Sequence, residues 1–260
     1  MSRGVAAIGI AVLAAAISAA AIGDQAQGER MQLDEVIASF DADLSPTRLP
    51  RDRTAPVAVR FEGELRTDDG SRLPRVKRVE IGLPEGQVTT TGLPICPPRR
   101  LRNAKPPAAL AACRSALVGR GRLEAKMYLP EQEPFSIRAP LLLFNGRARR
   151  GAPAVLVYAF VQRPPTVVVL SFILRRALGG STKVLVADLP PALGPWPRVA
   201  RFEMSLFRRY RFHGDRQSFL RASCPIPPAL TGGFSFARVM YLLEDGRQLE
   251  VEVVRGCRGI

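Results

Sequence analysis

The chain has a single histidine, His213 in RYRFHGDRQ, and it is the first residue to test for chemistry. A hydrolytic triad would need it as general base, oriented by a carboxylate and facing a nucleophile. No G-x-S-x-G elbow accompanies it. His213-Gly214-Asp215 reads instead as a loop tip, because Gly and Asp are turn formers. One histidine without clustered carboxylates offers no ligand set, so neither a metal nor another cofactor is expected. GGSTK (179–183) lacks the G-x-x-x-x-G-K-[ST] order of a phosphate loop and runs into the strand-like VLVADL, so it reads as a loop joining two strands. No catalytic residue is assigned.

Paired carboxylates could hydrolyse a glycoside with no other machinery. Glu62 and Glu64 share one strand face about 7 Å apart, given a rise near 3.3 Å per residue, and Glu244 and Asp245 share a turn. Neither pair has the aromatic platforms of a sugar site, and Trp196 is the one tryptophan. A solvated strand face explains both better, and a secreted hydrolase using a carboxylate pair is the alternative reading. The strongest binding constellation is ARFEMSLFRRYRFHGDRQSFLR (200–221). Phe202, Met204, Leu206, Tyr210 and Phe212 are expected to face the core, leaving Arg201, Arg209 and Arg211 on the opposite face with Glu203 among them. Arginine grips phosphate and carboxylate bidentately, so this face could hold a polyanion. The competing expectation is cross-strand pairing with an acidic strand such as 60–66, which would neutralise it.

The charge behind that idea is large. Net charge is +15, and of 38 basic residues only Lys77, Lys105, Lys126 and Lys183 are lysines. Abundant Ala, Gly, Pro and Arg also follow from GC-rich coding, so the charge is either a footprint for an anionic partner or compositional bias. The amino terminus explains where such a partner would be met. MSRGVAAIGIAVLAAAISAAAIGDQ has a positive start, an apolar run to Ala21 and an A-x-A site at Ala19 and Ala21, the pattern of a cleaved signal peptide over residues 1–21. Export then makes Cys96, Cys113, Cys224 and Cys257 legible as two disulfides. Three connectivities exist; proximity favours Cys96 with Cys113 and Cys224 with Cys257. A four-cysteine zinc site lacks any C-x-x-C pair.

The elements that would carry these residues are strands. A polar leading segment, 22–44, with one short helix at LDEVIASF, is followed by period-two patterns from Leu49 onward. VAVRFEGEL (57–65) alternates, Asp69-Gly70 marks a turn, and RVKRVEIGL, LEAKMYL and FSIRAPLLLF follow, the last with Pro140 at an edge or bend. ARVMYLLEDGRQLEVEVV (237–254) is a hairpin about Asp245-Gly246, with Leu249, Val251 and Val253 inward. AVLVYAFVQRPPTVVVLSFIL (154–174) could be mistaken for a membrane span. Arg163, Pro164 and Pro165 at its centre forbid a helix there, so it reads as a hairpin covered on both faces.

Twenty-three prolines, many short strands and little helical periodicity predict an all-β, antiparallel β-sandwich over 45–260, stapled by two disulfides. LPRDRTAPVAVRFEGEL resembles LGPWPRVARFEMSL, and ICPP resembles SCPIPP, which suggests two related sheets or lobes, about 45–150 and 151–260.

At GLPICPP (92–98), ACRSALVGRGRL (112–123) and LFNGRARRGAPAVLVYAF (143–160), the chain resembles secreted, uncharacterised β-rich proteins of GC-rich bacteria that pair a cysteine with an A-L-V-G-x-G segment. Those proteins commonly carry Cys-Pro where Cys113 is here followed by Arg114. The resemblance implies secretion and a β-rich fold, and carries no site. The resulting expectation is a secreted or extracytoplasmic, non-enzymatic binding or structural module of the cell envelope. Its expected partner is an anionic envelope polymer rather than nucleic acid, and no membrane span is expected in the mature chain.

Overall fold

Strands make up most of the chain where it is described, namely residues 29–84, 86–163, 165–176, 183–190, 194–227 and 231–260 of a computed structural model. The strands are β1 (Glu29–Leu33), β2 (Val36–Ser45), β3 (Arg48–Leu49), β4 (Ala55–Thr67), β5 (Val76–Leu83) and β6 (Gly86–Val88). A single α-helix among the described residues, α1 (Pro106–Cys113), precedes β7 (Leu117–Met127), β8 (Phe135–Arg147), β9 (Pro153–Gln162), β10 (Pro165–Arg176) and β11 (Lys183–Asp188). The remainder is β12 (Pro197–Leu206), β13 (Arg209–Phe212), β14 (Asp215–Ser218), β15 (Leu220–Ala222), β16 (Thr231–Leu243) and β17 (Gln248–Gly259). Residues 1–21, expected to be a signal peptide, and most of GGSTK lie outside the described residues.

One 15-stranded sheet runs in the order β1-β2-β4-β12-β7-β8-β9-β10-β11-β5-β16-β17-β3, with β15 pairing β4 and β6 beside that path. Its long ladders are antiparallel. The sheet curls until its ends meet, so the two layers of the sandwich are limbs of one sheet. Side chains hold the seam between them. The Glu250 N–H donates to Met31 Sδ at 3.3 Å, Arg247 pairs with Asp34 and Glu35 at 3.4 and 3.0 Å, and Arg255 pairs with Asp41. Strands β8 and β9, on either side of residue 150, are neighbours in this sheet, and the two similar segments lie side by side as β4 and β12.

The core fills the curl. Val57, Val59, Phe61 and Leu65 of β4 are buried in it with Leu249, Val251 and Val253 of β17. Phe40 stacks on Phe61 with ring centroids 6.0 Å apart. A Cβ on Gly63 would stand 2.5 Å from the Tyr241 hydroxyl and 2.4 Å from the Phe202 ring, so glycine is required there for Tyr241 to reach across.

The expectation for the leading segment is corrected here. Residues 29–44 are strands, not a polar lead-in with a helix, because Val36, Ala38, Phe40, Ala42 and Leu44 alternate and all bury against β4. The apolar run 154–174 is the hairpin β9–β10, and β9 is covered on both faces. Val155, Val157 and Ala159 enter the main core. Leu156 and Tyr158 face outward, into a second cluster with Phe144, Leu101, Ala109, Cys96 and Cys113. That cluster lies beneath α1, which Pro106 and Pro107 start and the following alanines continue. The disulfide Cys96–Cys113 ties the ends of this cap, the Tyr158 hydroxyl donates to the Ala104 carbonyl at 2.5 Å, and Asn145 donates to the Pro94 carbonyl at 2.9 Å. The second disulfide is Cys224–Cys257. Both follow the pairing that proximity favours.

Candidate functional site

The arginines Arg201, Arg209 and Arg211 do not form one face. Strand β12 stops at Leu206, where the Phe207 N–H turns to the Val118 carbonyl at 3.1 Å. Arg209 and Arg211 then belong to β13, which pairs only with β14 in a separate two-stranded sheet. Phe202, Met204 and Leu206 are buried as expected, whereas Tyr210 and Phe212 are only half-buried.

Arg201 sits in a lattice of alternating charge on the outer face of β4, β12, β7 and β8. Glu62 stands directly opposite Glu203 in register, a repulsive pair on its own. Three arginines relieve it. Arg201 pairs with Glu62, Arg60 with Glu203 at 3.2 Å, and Arg122 with Glu203 at 2.6 Å. Arg138 pairs with Glu124 at 3.0 Å. A groove of about 510 Å³ runs over this lattice. The hydrogen bond from Arg122 holds the Glu203 carboxyl below the usual carboxylate range, and Arg138 does the same for Glu124. The lattice neutralises itself.

The β13–β14 hairpin is built differently. His213 and Gly214, with φ of 50° and 87°, are its two central residues, the positive pair that a type I′ turn demands. The aromatic face is anchored: the Tyr210 hydroxyl donates to the Thr91 carbonyl at 2.7 Å, and Phe212 covers Gly92, where a Cβ would stand 2.1 Å from the ring. Anchoring that face turns Arg209, Arg211 and Arg216 to the other. Arg211 and Arg216 are directly opposite in register, and like charges so placed cost stability. Among the described residues no carboxylate lies within 4 Å of any of the three. They line an open groove of about 630 Å³ together with Pro46, Pro56 and Gln217. Arg216 is absent from the sequence reading. Its signal was the two-residue His-Gly turn, which fixes Arg216 opposite Arg211.

Charge is segregated over the molecule as well. Between Glu85 and Glu124 lie seven basic residues and no acid; between Glu133 and Asp188 lie eight and none. The rest of the chain balances at 23 basic and 23 acidic residues. Apart from β6, which pairs with β15, the acid-free stretches form β8 to β10, most of β7 and β11, and the disulfide-tied cap. Arg99, Arg100, Arg102, Lys105, Arg114, Arg147 and Arg150 on that limb are all exposed.

Among the described residues no group of three or more His, Cys, Asp or Glu could hold a metal, and no helix is long and apolar enough to cross a membrane. Comparison with family models, with curated proteins and with solved structures finds no match to the chain.

Proposed function

We propose that the protein is an exported, non-enzymatic binding module that holds an anionic polymer of the cell envelope on the arginine face of the β13–β14 hairpin. The observation that carries this reading is the in-register opposition of Arg211 and Arg216 beside Arg209, none of them ion-paired with a carboxylate among the described residues. A bound phosphate or carboxylate chain would turn that repulsion into charge-assisted hydrogen bonds. The groove along the hairpin is open to solvent, as a polymer requires. Two disulfides suit an oxidising compartment, and the leader and the resemblance to secreted β-rich proteins point the same way. The hydrolase alternative is weakened by Glu124 and Glu203. These acids line the groove over the outer charge lattice, yet both are held ionised by arginine, the opposite of what a general acid needs.

The test is co-sedimentation of the mature protein with isolated envelopes at low salt and at about 0.5 M, where screening leaves a range of a few Å. Salt-reversible pelleting, lost in Arg209→Glu/Arg211→Glu/Arg216→Glu and retained in Arg201→Gln, is the expected result. Equal loss in both variants would assign the binding to diffuse charge and not to the hairpin.

A further inference from the structure

Among the described residues the wall of the curled sheet has an opening. Strand β10 pairs with β9 from Pro165 to Ile173, but with β11 only from Ile173 to Arg176. Beyond Ile173 opposite Val186, β11 continues along β5 to Asp188 while β10 diverges. From Val167 to Phe172 the side of β10 away from β9 therefore has no ladder neighbour among the described strands. An edge of this kind leaves backbone N–H and C=O groups as a template for another strand.

Proteins blunt such edges with charge or proline, and the contrast within this molecule is direct. Strand β8 also loses its neighbour, since β9 pairs with it only from Leu141 onward. That open part carries Arg138 and Pro140. The open part of β10 reads VVVLSF and carries neither. Its inward side chains Val168, Leu170 and Phe172 line an apolar pocket of about 70 Å³, closed on the far side by Val79, Phe202 and Met204, with no polar lining. Val168 and Leu170 are only half-buried, so the pocket opens at the edge itself.

We infer that the β10 edge is a strand-addition site for an extended peptide with apolar residues at its centre and acidic residues at its ends. Three features select that occupant, and none depends on the polyanion reading of the hairpin. The unpaired backbone calls for hydrogen bonds that a hydrocarbon chain cannot make. The pocket of about 70 Å³ suits one side chain of the added strand rather than a lipid tail, since a cavity of about 150 Å³ holds no more than a benzene. Both ends of the edge are basic, with Arg163 before it and Arg175 and Arg176 after it, all exposed, in a stretch without an acid. A second copy pairing antiparallel through the same edge would set Arg163 against Arg175 and Arg176, so an acidic-ended partner is favoured.

The experiment uses the mature protein and a synthetic peptide of about ten residues, alternating leucine and threonine between two glutamates at each end, a length that spans the edge at about 3.3 Å per residue. A control peptide has proline at alternate positions and the same charge. Binding is read by titration calorimetry, and the site by amide hydrogen exchange. The expected result is saturable binding with slowed exchange at 167–172, no binding of the proline peptide, and at least tenfold weaker binding to Leu170→Lys and to Arg175→Glu/Arg176→Glu, two variants whose fold is checked by circular dichroism. Equal binding of both peptides, or exchange slowed elsewhere, would overturn the inference. Concentration-dependent dimerisation that protects 167–172 without peptide would overturn it in favour of a second copy.

Discussion

The Tyr241 hydroxyl is wholly buried and has no hydrogen-bond partner among the described residues, and burial pushes its pKa well up. Its ring is held by packing: Gly63 leaves the space, and Phe202 borders it. A buried hydroxyl without a partner carries a desolvation penalty of about 1–3 kcal/mol. Tyr241→Phe is therefore expected to raise stability by about 1 kcal/mol, whereas Gly63→Ala should lower it by about 1–3 kcal/mol through overpacking. Chemical denaturation midpoints check both, and a loss of stability in Tyr241→Phe would mean that the hydroxyl has found a partner. The orphan could not be read from the sequence, because Tyr241 alternates like any core residue of its strand. Arg201 gives the complementary case. Its outward direction was legible from period two, but its pairing with Glu62 depends on which strand lies beside it.

The cap over β8 and β9 shows what an element adds to local pattern. VLVYAF is apolar at every position, which announced two covered faces without saying what covers the outer one. The cover is α1 with its flanking loops, a helix too short and too alanine-rich to show amphipathic spacing. Its attachment rests on a few large side chains and on Cys96–Cys113, with 17 residues of separation, whereas Cys224–Cys257 spans 33 and joins the loop after β15 to β17. In the loop-entropy account these contribute about 3 and about 4 kcal/mol. Cys96→Ser/Cys113→Ser should thus lower stability by about 3 kcal/mol and speed hydrogen exchange in 98–116 more than in β4 or β17. Uniform acceleration would show that cap and sheet unfold as one unit. Strand β2 taught the opposite lesson. Val36, Ala38, Phe40, Ala42 and Leu44 alternate plainly, yet the interspersed Asp41 and Asp43 and the small alanines let the segment pass for a polar lead-in.

At the scale of the whole molecule, ion pairs close what backbone ladders leave open. Arg247, beside Asp245, reaches Asp34 and Glu35 across the seam, and Arg122 settles Glu203 against Glu62 on the outer face. Hydrogen bonds from Arg122, Arg138 and Arg247 hold Glu203, Glu124 and Asp245 below their ordinary values. Folded values below the unfolded ones make these carboxylates stabilising above about pH 4, the unfolded range, and that stabilisation is lost as pH falls through the folded values. Thermal unfolding should therefore vary little with these groups from pH 7 to about 5 and fall steeply below about 4, and Glu203→Gln should flatten the acid limb. An unchanged limb would show that the outer lattice contributes nothing to acid stability.

The sequence by itself determined most of the strand character, most inward and outward faces, the loop tip at His213-Gly214, the hairpin turn at Asp245-Gly246, and the large positive charge. Each of these is local: alternation has a period of two residues, and a turn is set by two. Proximity along the chain also sufficed for both disulfides. Only the tertiary structure decided that the arginines of 200–221 divide between a neutralised lattice and an unpaired hairpin, and that the basic residues of the acid-free stretches gather on one limb. It alone left β10 with no ladder neighbour among the described strands from Val167 to Phe172, above an apolar pocket. Those outcomes depend on which strands become neighbours across the sheet, and strand order is set by burial summed over the whole chain rather than by any residue's immediate surroundings.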